Sequence, residues 1–225
     1  MLDGIYRDMS NEDYHCQKED WLSSSLLKAA RSGYQAYESY LEDKFKQTPS
    51  MRFGSIVHAA ILESDTFEEK WGGKLTSAEL DKLGRVLKRF PTNVLDQLEA
   101  AECEVSLFVK DSRKKVRFDA INWEGLTIFD VKTTSSFDSF KWSVNKYDYD
   151  LQAYHYMTAA EEYYGKSFNF VWIAVETVKP FRVKWYAPSP STIESGEAKY
   201  VEAMAALEEL REGYERIIPE ELEYI

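Results

Sequence analysis

Cysteine is nearly absent: Cys16 and Cys103 are the two in 225 residues. This excludes a disulfide scaffold, and within one chain a four-cysteine zinc site or iron–sulfur cluster. Long apolar runs are missing too. The longest, Phe170–Val175, falls far short of the roughly 18 residues a membrane helix needs, so no membrane partner is expected. The N-terminus carries acids from Asp3 onward and no apolar h-region, so no signal peptide is expected. The cytoplasm is the expected compartment. Internal repeats, low-complexity tracts and Pro/Gly-rich linkers are also lacking, and residues 1–225 are read as a single domain. An excess of basic charge is missing as well. The net charge is −11, which taken alone argues against a protein that wraps nucleic acid. What is present is 44% hydrophobic and 15% aromatic content, ample for a core and unlike a disordered chain.

The charge is uneven. Residues 194–225 hold ten Glu and three Lys/Arg, a net of −7, which leaves −4 for residues 1–193. Lys110, Arg113, Lys114, Lys115 and Arg117 form one basic knot, and Arg85, Lys88 and Arg89 a second. A functional surface can therefore be basic on an acidic protein.

Residues 1–20 read as an irregular arm. Ser23, Ser24 and Ser25 offer N-caps for a helix to about Asp43. FGSIVHAAILE (53–63) predicts a short helix. Thr76 and Glu79 fit a capping box opening a helix to about Arg89, and another helix follows Pro91 with Val94, Leu95 and Leu98 on one face. The period then changes to two: EVSLFVK (104–110), KVRFDAIN (115–122) and LTIFDVK (126–132) read as strands. Residues 150–164 return to helix. FNFVWIAVET (168–177) predicts a central strand buried on both faces, and FRVKWYA (181–187) its partner across Lys179-Pro180. Residues 197–217 form an amphipathic helix with Tyr200, Ala203, Met204, Leu207, Leu210 and Tyr214 on one stripe, a core or subunit-interface face.

The hairpin joining 115–122 to 126–132 carries the chemistry. A two-residue loop at Glu124-Gly125 pairs Trp123 with Leu126, Ile121 with Ile128 and Asp119 with Asp130. Directly opposed side chains have Cβ atoms about 4.5–5.5 Å apart. Lys132 shares that face, while Phe118, Ala120, Phe129 and Val131 supply a core face. Two carboxylates forced together call for a proton or a cation, and a hard cation such as Mg²⁺ wants oxygen ligands. With Lys110 set opposite Lys115, Glu104 lies diagonal to Asp119. The bland alternative is a solvated strand face with ordinary ion pairs.

At these residues the chain resembles the PD-(D/E)xK nuclease superfamily, and within it the RecE-like, lambda-exonuclease-like recombination exonucleases of phages. The blocks SSSLLKAARSGYQAY, FGSIVHAAILE, EVSLFV, VRFDAI, IFDVKTTSSF, YDYDLQAYHYM and FVWIAVET stand in that family's order. FDVKTT followed by Gln-x-x-x-Tyr is the most diagnostic part. Phe118 replaces the eponymous proline, and the second acid is Asp. The resemblance implies an α/β fold with a restriction-endonuclease-like core, a central mixed β-sheet flanked by helices. It implies Asp119, Asp130, Glu104, His58 and the Val131 carbonyl at a Mg²⁺ site that Mn²⁺ can also fill. It further implies Lys132 as catalytic lysine, and Gln152 and Tyr156 as the paired helix residues. Arg117, Lys115, Thr133 and Ser24 are the candidate DNA contacts. The implied activity is 5′→3′ digestion of double-stranded DNA ends, giving 3′ tails for a single-strand annealing recombinase. The implied assembly is a ring-shaped homo-oligomer, trimer or tetramer. The alternatives are another nuclease of the superfamily, endonucleolytic or single-strand specific, and a non-catalytic module binding DNA ends or a recombinase.

Overall fold

The computed structural model describes residues 3–16, 18, 20–44 and 46–217, the side chains of 214–217 excepted. Six strands form one mixed sheet in chain order: β1 (Gly4–Tyr6), β2 (Glu102–Val109), β3 (Lys114–Asn122), β4 (Thr127–Thr134), β5 (Asn169–Glu176) and β6 (Val183–Tyr186). All neighbours are antiparallel except β4 and β5. A parallel pair needs a crossover, and α8 (Phe137–Lys146) and α9 (Tyr149–Tyr164) form it. The fold is the expected one, a mixed sheet flanked by helices. No helix among the described residues is long and apolar enough to cross a membrane.

Helices cover both faces. On one, α9 packs against Val105, Leu107, Phe118, Ile128, Phe170 and Trp172. On the other, α4 (Pro49–Leu62), α6 (Ser77–Leu87) and α7 (Thr92–Glu99) pack against Ala120, Phe129, Val131, Ile173 and Val175. β5 is thus covered on both sides, as its apolar run requires. The last helix, α10 (Pro190–Ile217), starts at Pro190 rather than at 197. Its Ala203 and Leu207 are buried, with Tyr200, Met204 and Leu210 packed beside them. Tyr214 and residues 218–225 lie outside the described side chains and residues.

The N-terminal arm holds β1 and α1 (Asn11–His15) instead of being irregular. The helix expected to reach Asp43 is two: α2 (Ser24–Arg31), capped by Ser23, and α3 (Tyr34–Leu41). Gly33 separates them at φ 98°, a conformation glycine adopts without steric cost. α4 begins at Pro49, ahead of the expected Phe53, because Thr48 caps it and proline suits the first turn. The Thr76–Glu79 capping box is present. In α7, Val94 and Leu98 are buried, whereas Leu95 is exposed. α5 (Ser64–Trp71) and α8 are absent from the sequence expectation.

The β3–β4 register is the expected one, with Ile121 opposite Ile128. The ladder closes at Asn122–Thr127, however, leaving a four-residue loop where two residues were expected. Asn122 Oδ1 accepts from Gly125 N at 2.7 Å and shapes that loop. The β2–β3 register is shifted by two from expectation: Phe108, not Lys110, faces Lys115. Cys103–Ala120 and Val105–Phe118 are the flanking pairs, so Glu104 lies level with Asp119 rather than diagonal to it. Phe118 and Val105 point to the α9 side, Ala120 and Cys103 to the α4 side. Both strands therefore change face across Glu104 and Asp119, with Glu104 at φ 55°. Phe118 does not share a core face with Ala120, Phe129 and Val131. The strict alternation behind that expectation fails at the kink.

Candidate active site

The kink opens one cavity of about 1000 Å³. Asp119, Val131, Lys132 and Thr133 line it from the strands, His58 and Gly54 from α4, Ser24 from α2, and Tyr149 and Tyr156 from α9. Residues 7–11 and Tyr14 form a further wall. Gly54 allows α4 to come close to the sheet: a Cβ there would stand 3.1 Å from Thr133 Oγ1.

Three predicted donors converge. His58 Nε2 lies 3.1 Å from Asp119 Oδ1 and 3.5 Å from Glu104 Oε1. One ligand atom from each of His58, Glu104 and Asp119 falls within 4.8 Å of the other two. Asp119 Oδ2 accepts the Val131 N–H at 2.7 Å, taking a backbone donor where the ladder has parted. Burial opposes ionisation of Asp119, but the His58 charge, Lys132 and that N–H outweigh it and lower its pKa. Glu104 is raised by burial, against the pull of His58 and Arg117. Burial likewise disfavours the His58 imidazolium, yet Asp119 and Glu104 prevail and raise it to about 9. Without a cation, a proton on His58 thus balances the acids. One imidazole and two carboxylates, drawn together from a helix and two strands, form a donor set that fits a divalent cation.

Asp130 stands apart from this group. It is 1% exposed, and its Oδ1 accepts from Lys132 Nζ at 2.7 Å and from Gln152 Nε2 at 3.1 Å. Burial and the Asp119 charge push its pKa up despite Lys132. Lys132 sees both carboxylates; against burial, Asp130 and Asp119 raise its pKa. Gln152 and Tyr156 lie one turn apart on α9, as their spacing requires: Gln152 reaches Asp130, and Tyr156 lines the cavity.

Two residues escaped the sequence reading. Lys28 Nζ donates to Gln152 Oε1 at 3.2 Å. Burial and then the Lys132 charge lower its pKa to about 7. Two lysines approach the Tyr149 ring, with Lys132 Nζ 5.0 Å and Lys28 Nζ 5.4 Å from its centroid. Lys28 sits in the quoted SSSLLKAARSGYQAY block, but helix spacing alone cannot announce a contact 124 residues distant in sequence.

The expected DNA contacts divide. Arg117, Thr133 and Ser24 line the cavity. Arg117 is already engaged, its Nε 2.9 Å from Glu104 Oε2 and its Nη1 3.0 Å from the Met9 carbonyl. Lys115 is corrected: it is 1% exposed, and its Nζ donates to the Tyr14 carbonyl at 2.8 Å. Its ammonium serves the arm, not a ligand.

The family model described as a PDDEXK-like domain of unknown function (DUF3799) matches residues 100–225. The chain belongs to this family. The PDDEXK-like assignment covers β2 to β6, with Glu104, Asp119, Asp130 and Lys132 inside the matched residues and His58 outside them. Among solved structures, an inferred exonuclease from Eubacterium rectale is similar at a TM-score of 0.76, with 15% identity, over 91% of this chain and 87% of that one. At that identity the likeness is one of fold. A phage-related exonuclease from Haemophilus somnus 129PT aligns with 86% of this chain and 96% of its own, at a TM-score of 0.41 and 11% identity. No curated protein matches the chain.

Proposed function

We propose that this PDDEXK-like chain is a metal-dependent DNA exonuclease. The observation that carries the reading is the meeting of His58, Glu104 and Asp119 in the cavity that Lys132 also lines. The E. rectale relative of the same fold, itself an inferred exonuclease, supports it.

His58, Glu104 and Asp119 would hold the cation, with the Val131 carbonyl at hand. A bound divalent cation supplies Lewis acidity toward the phosphate and acidifies a water molecule. Asp119 stays ionised because His58, Lys132 and the Val131 N–H favour its charge. Lys132 keeps its proton at Nζ, so it acts as a fixed positive charge beside the phosphate rather than as a base. Asp130 holds that ammonium in place, and Gln152 donates to Asp130. Tyr156 and the N-terminal wall narrow the access of bulk water. The finer reading has the enzyme enter double-stranded ends, degrade 5′→3′ and leave 3′ tails for an annealing recombinase. It also has residues 1–225 act as one nuclease domain within a trimeric or tetrameric ring.

Digestion of 5′- and 3′-labelled linear duplex beside a closed circle tests this. Release of the 5′ label with Mg²⁺, none in EDTA, and an intact circle are expected. Cutting of the circle would make it an endonuclease; cleavage in EDTA would remove the metal site.

A further inference from the structure

The second basic knot has a place that the catalytic cavity does not explain. Arg85, Lys88 and Arg89, at the end of α6, face Lys179 across a separate cavity of about 560 Å³, with Pro180 and Phe181 completing its lining. Arg85 pairs with Asp81 at 2.8 Å. Lys88, Arg89 and Lys179 have no carboxylate partner among the described residues. Basic residues at a helix C-terminus complement its dipole, which accounts for the α6 wall. It does not account for Lys179, which comes from the β5–β6 turn on the other side. Like charges that converge on one hollow repel each other unless an anion enters.

The hollow is well placed for a long anion. Leu83 and Val86 of α6 share a core with Phe181 and Val183, which docks the helix end on the turn. Thr177 N donates to the Thr134 carbonyl at 2.9 Å. The turn therefore lies just beyond the end of β4, the strand that carries Lys132 and Thr133. Three cations without a carboxylate partner are more than one phosphate requires, and the half-buried Phe181 lines the same hollow. Positive charge with an aromatic platform suits unpaired nucleotides.

We infer that this hollow binds the phosphate backbone of a single DNA strand beyond the catalytic cavity. The inference rests on the nuclease reading and assigns that activity a second contact with its substrate. The double variant Lys88→Glu/Lys179→Glu tests it, both positions lying outside the catalytic machinery. Anisotropy of a fluorescent oligo-dT, with Ca²⁺ in place of Mg²⁺, should show affinity reduced about tenfold or more and a shallower salt dependence, since each phosphate contact contributes to the slope. Hydrolysis of thymidine 5′-p-nitrophenyl phosphate, too small to span both cavities, should be unchanged. Equal oligo-dT affinity in variant and wild type, or a wild type that cuts duplex without binding oligo-dT, overturns the inference. So does a variant whose assembly state changes by light scattering while its DNA affinity holds, which would make the hollow a seat for an acidic face of a second copy. A wild type inert toward DNA with every divalent metal instead removes the nuclease reading itself.

Discussion

Two clusters of charge pack against α9, and they differ in what they face. Behind α9, Lys199 Nζ contacts Asp148 at 3.0 Å and Asp150 at 2.9 Å, Arg31 reaches Asp148 at 3.1 Å, and Ser195 donates to Asp150 at 2.8 Å. Three acids meet two bases there, because Arg31 also pairs with the exposed Glu202 at 3.0 Å, and the cluster ties α2, α9 and α10 together. In the catalytic cavity, Glu104, Asp119 and Asp130 meet Lys132 and Arg117, Lys28 reaches Asp130 through Gln152, and His58 stands 3.1 Å from Asp119. Burial of charge is common to both, so it does not identify a site. Ligand-capable side chains that converge on a cavity do.

Breaking each cluster should separate activity from stability. The largest effect is expected for Lys132→Ala and Asp119→Asn. Each should lower the cleavage rate by about 10²–10³-fold or more, the scale seen when one transition-state partner is removed. Circular dichroism should show the fold intact; near wild-type cleavage by either variant would merge the two clusters into one structural class. Next comes Lys199→Met. Leaving Asp148 and Asp150 buried without their ammonium should cost about 3–5 kcal/mol, read by urea unfolding. The cleavage rate of the protein that remains folded should be unchanged.

The smallest effect concerns pH. The His58 pKa is raised from 6.5 to about 9 in the fold. The stability from its ion pair is therefore fully present below the unfolded value of 6.5 and is lost as pH rises through about 9. With the side chain 27% exposed, the loss should be about 2 kcal/mol. Melting temperatures in EDTA should fall over this range, and His58→Gln should flatten the slope. Because a cation needs neutral imidazole, metal affinity should instead strengthen as pH rises through the same range.

Much of this site was legible in local pattern. Two strands of period two and a short turn are enough to place Ile121 against Ile128, and the same spacing puts Lys132 beside Asp130. The FGSIVHAAILE resemblance pointed to His58, which the structure brings to Asp119. What local pattern could not carry is the kink. Alternation assumes a regular pleat, and Glu104 at φ 55° breaks it, so Phe118 changes side; Glu104 comes level with Asp119 through the separate two-residue shift of the β2–β3 register. Nor does spacing tell which cations are spent inside. Lys115 reads as part of a basic knot, yet its partner is a carbonyl 101 residues away in the arm. Lys28 reads as a helix residue, and only the packing of α2 against α9 brings it to Gln152.

Gly54 has a consequence for the proposed metal site. It stands one turn before His58, and residues four apart share a helix face. The clearance between Gly54 and Thr133 therefore sets how far the imidazole reaches toward the two carboxylates. A methyl group at this position would meet Thr133 Oγ1 at 3.1 Å, and relieving that contact means a shift of a few tenths of an ångström. Metal–ligand distances tolerate only about ±0.2 Å. In the proposed metal site, the bite of the donor group would thus be gauged by the absence of a side chain on the helix that faces the sheet.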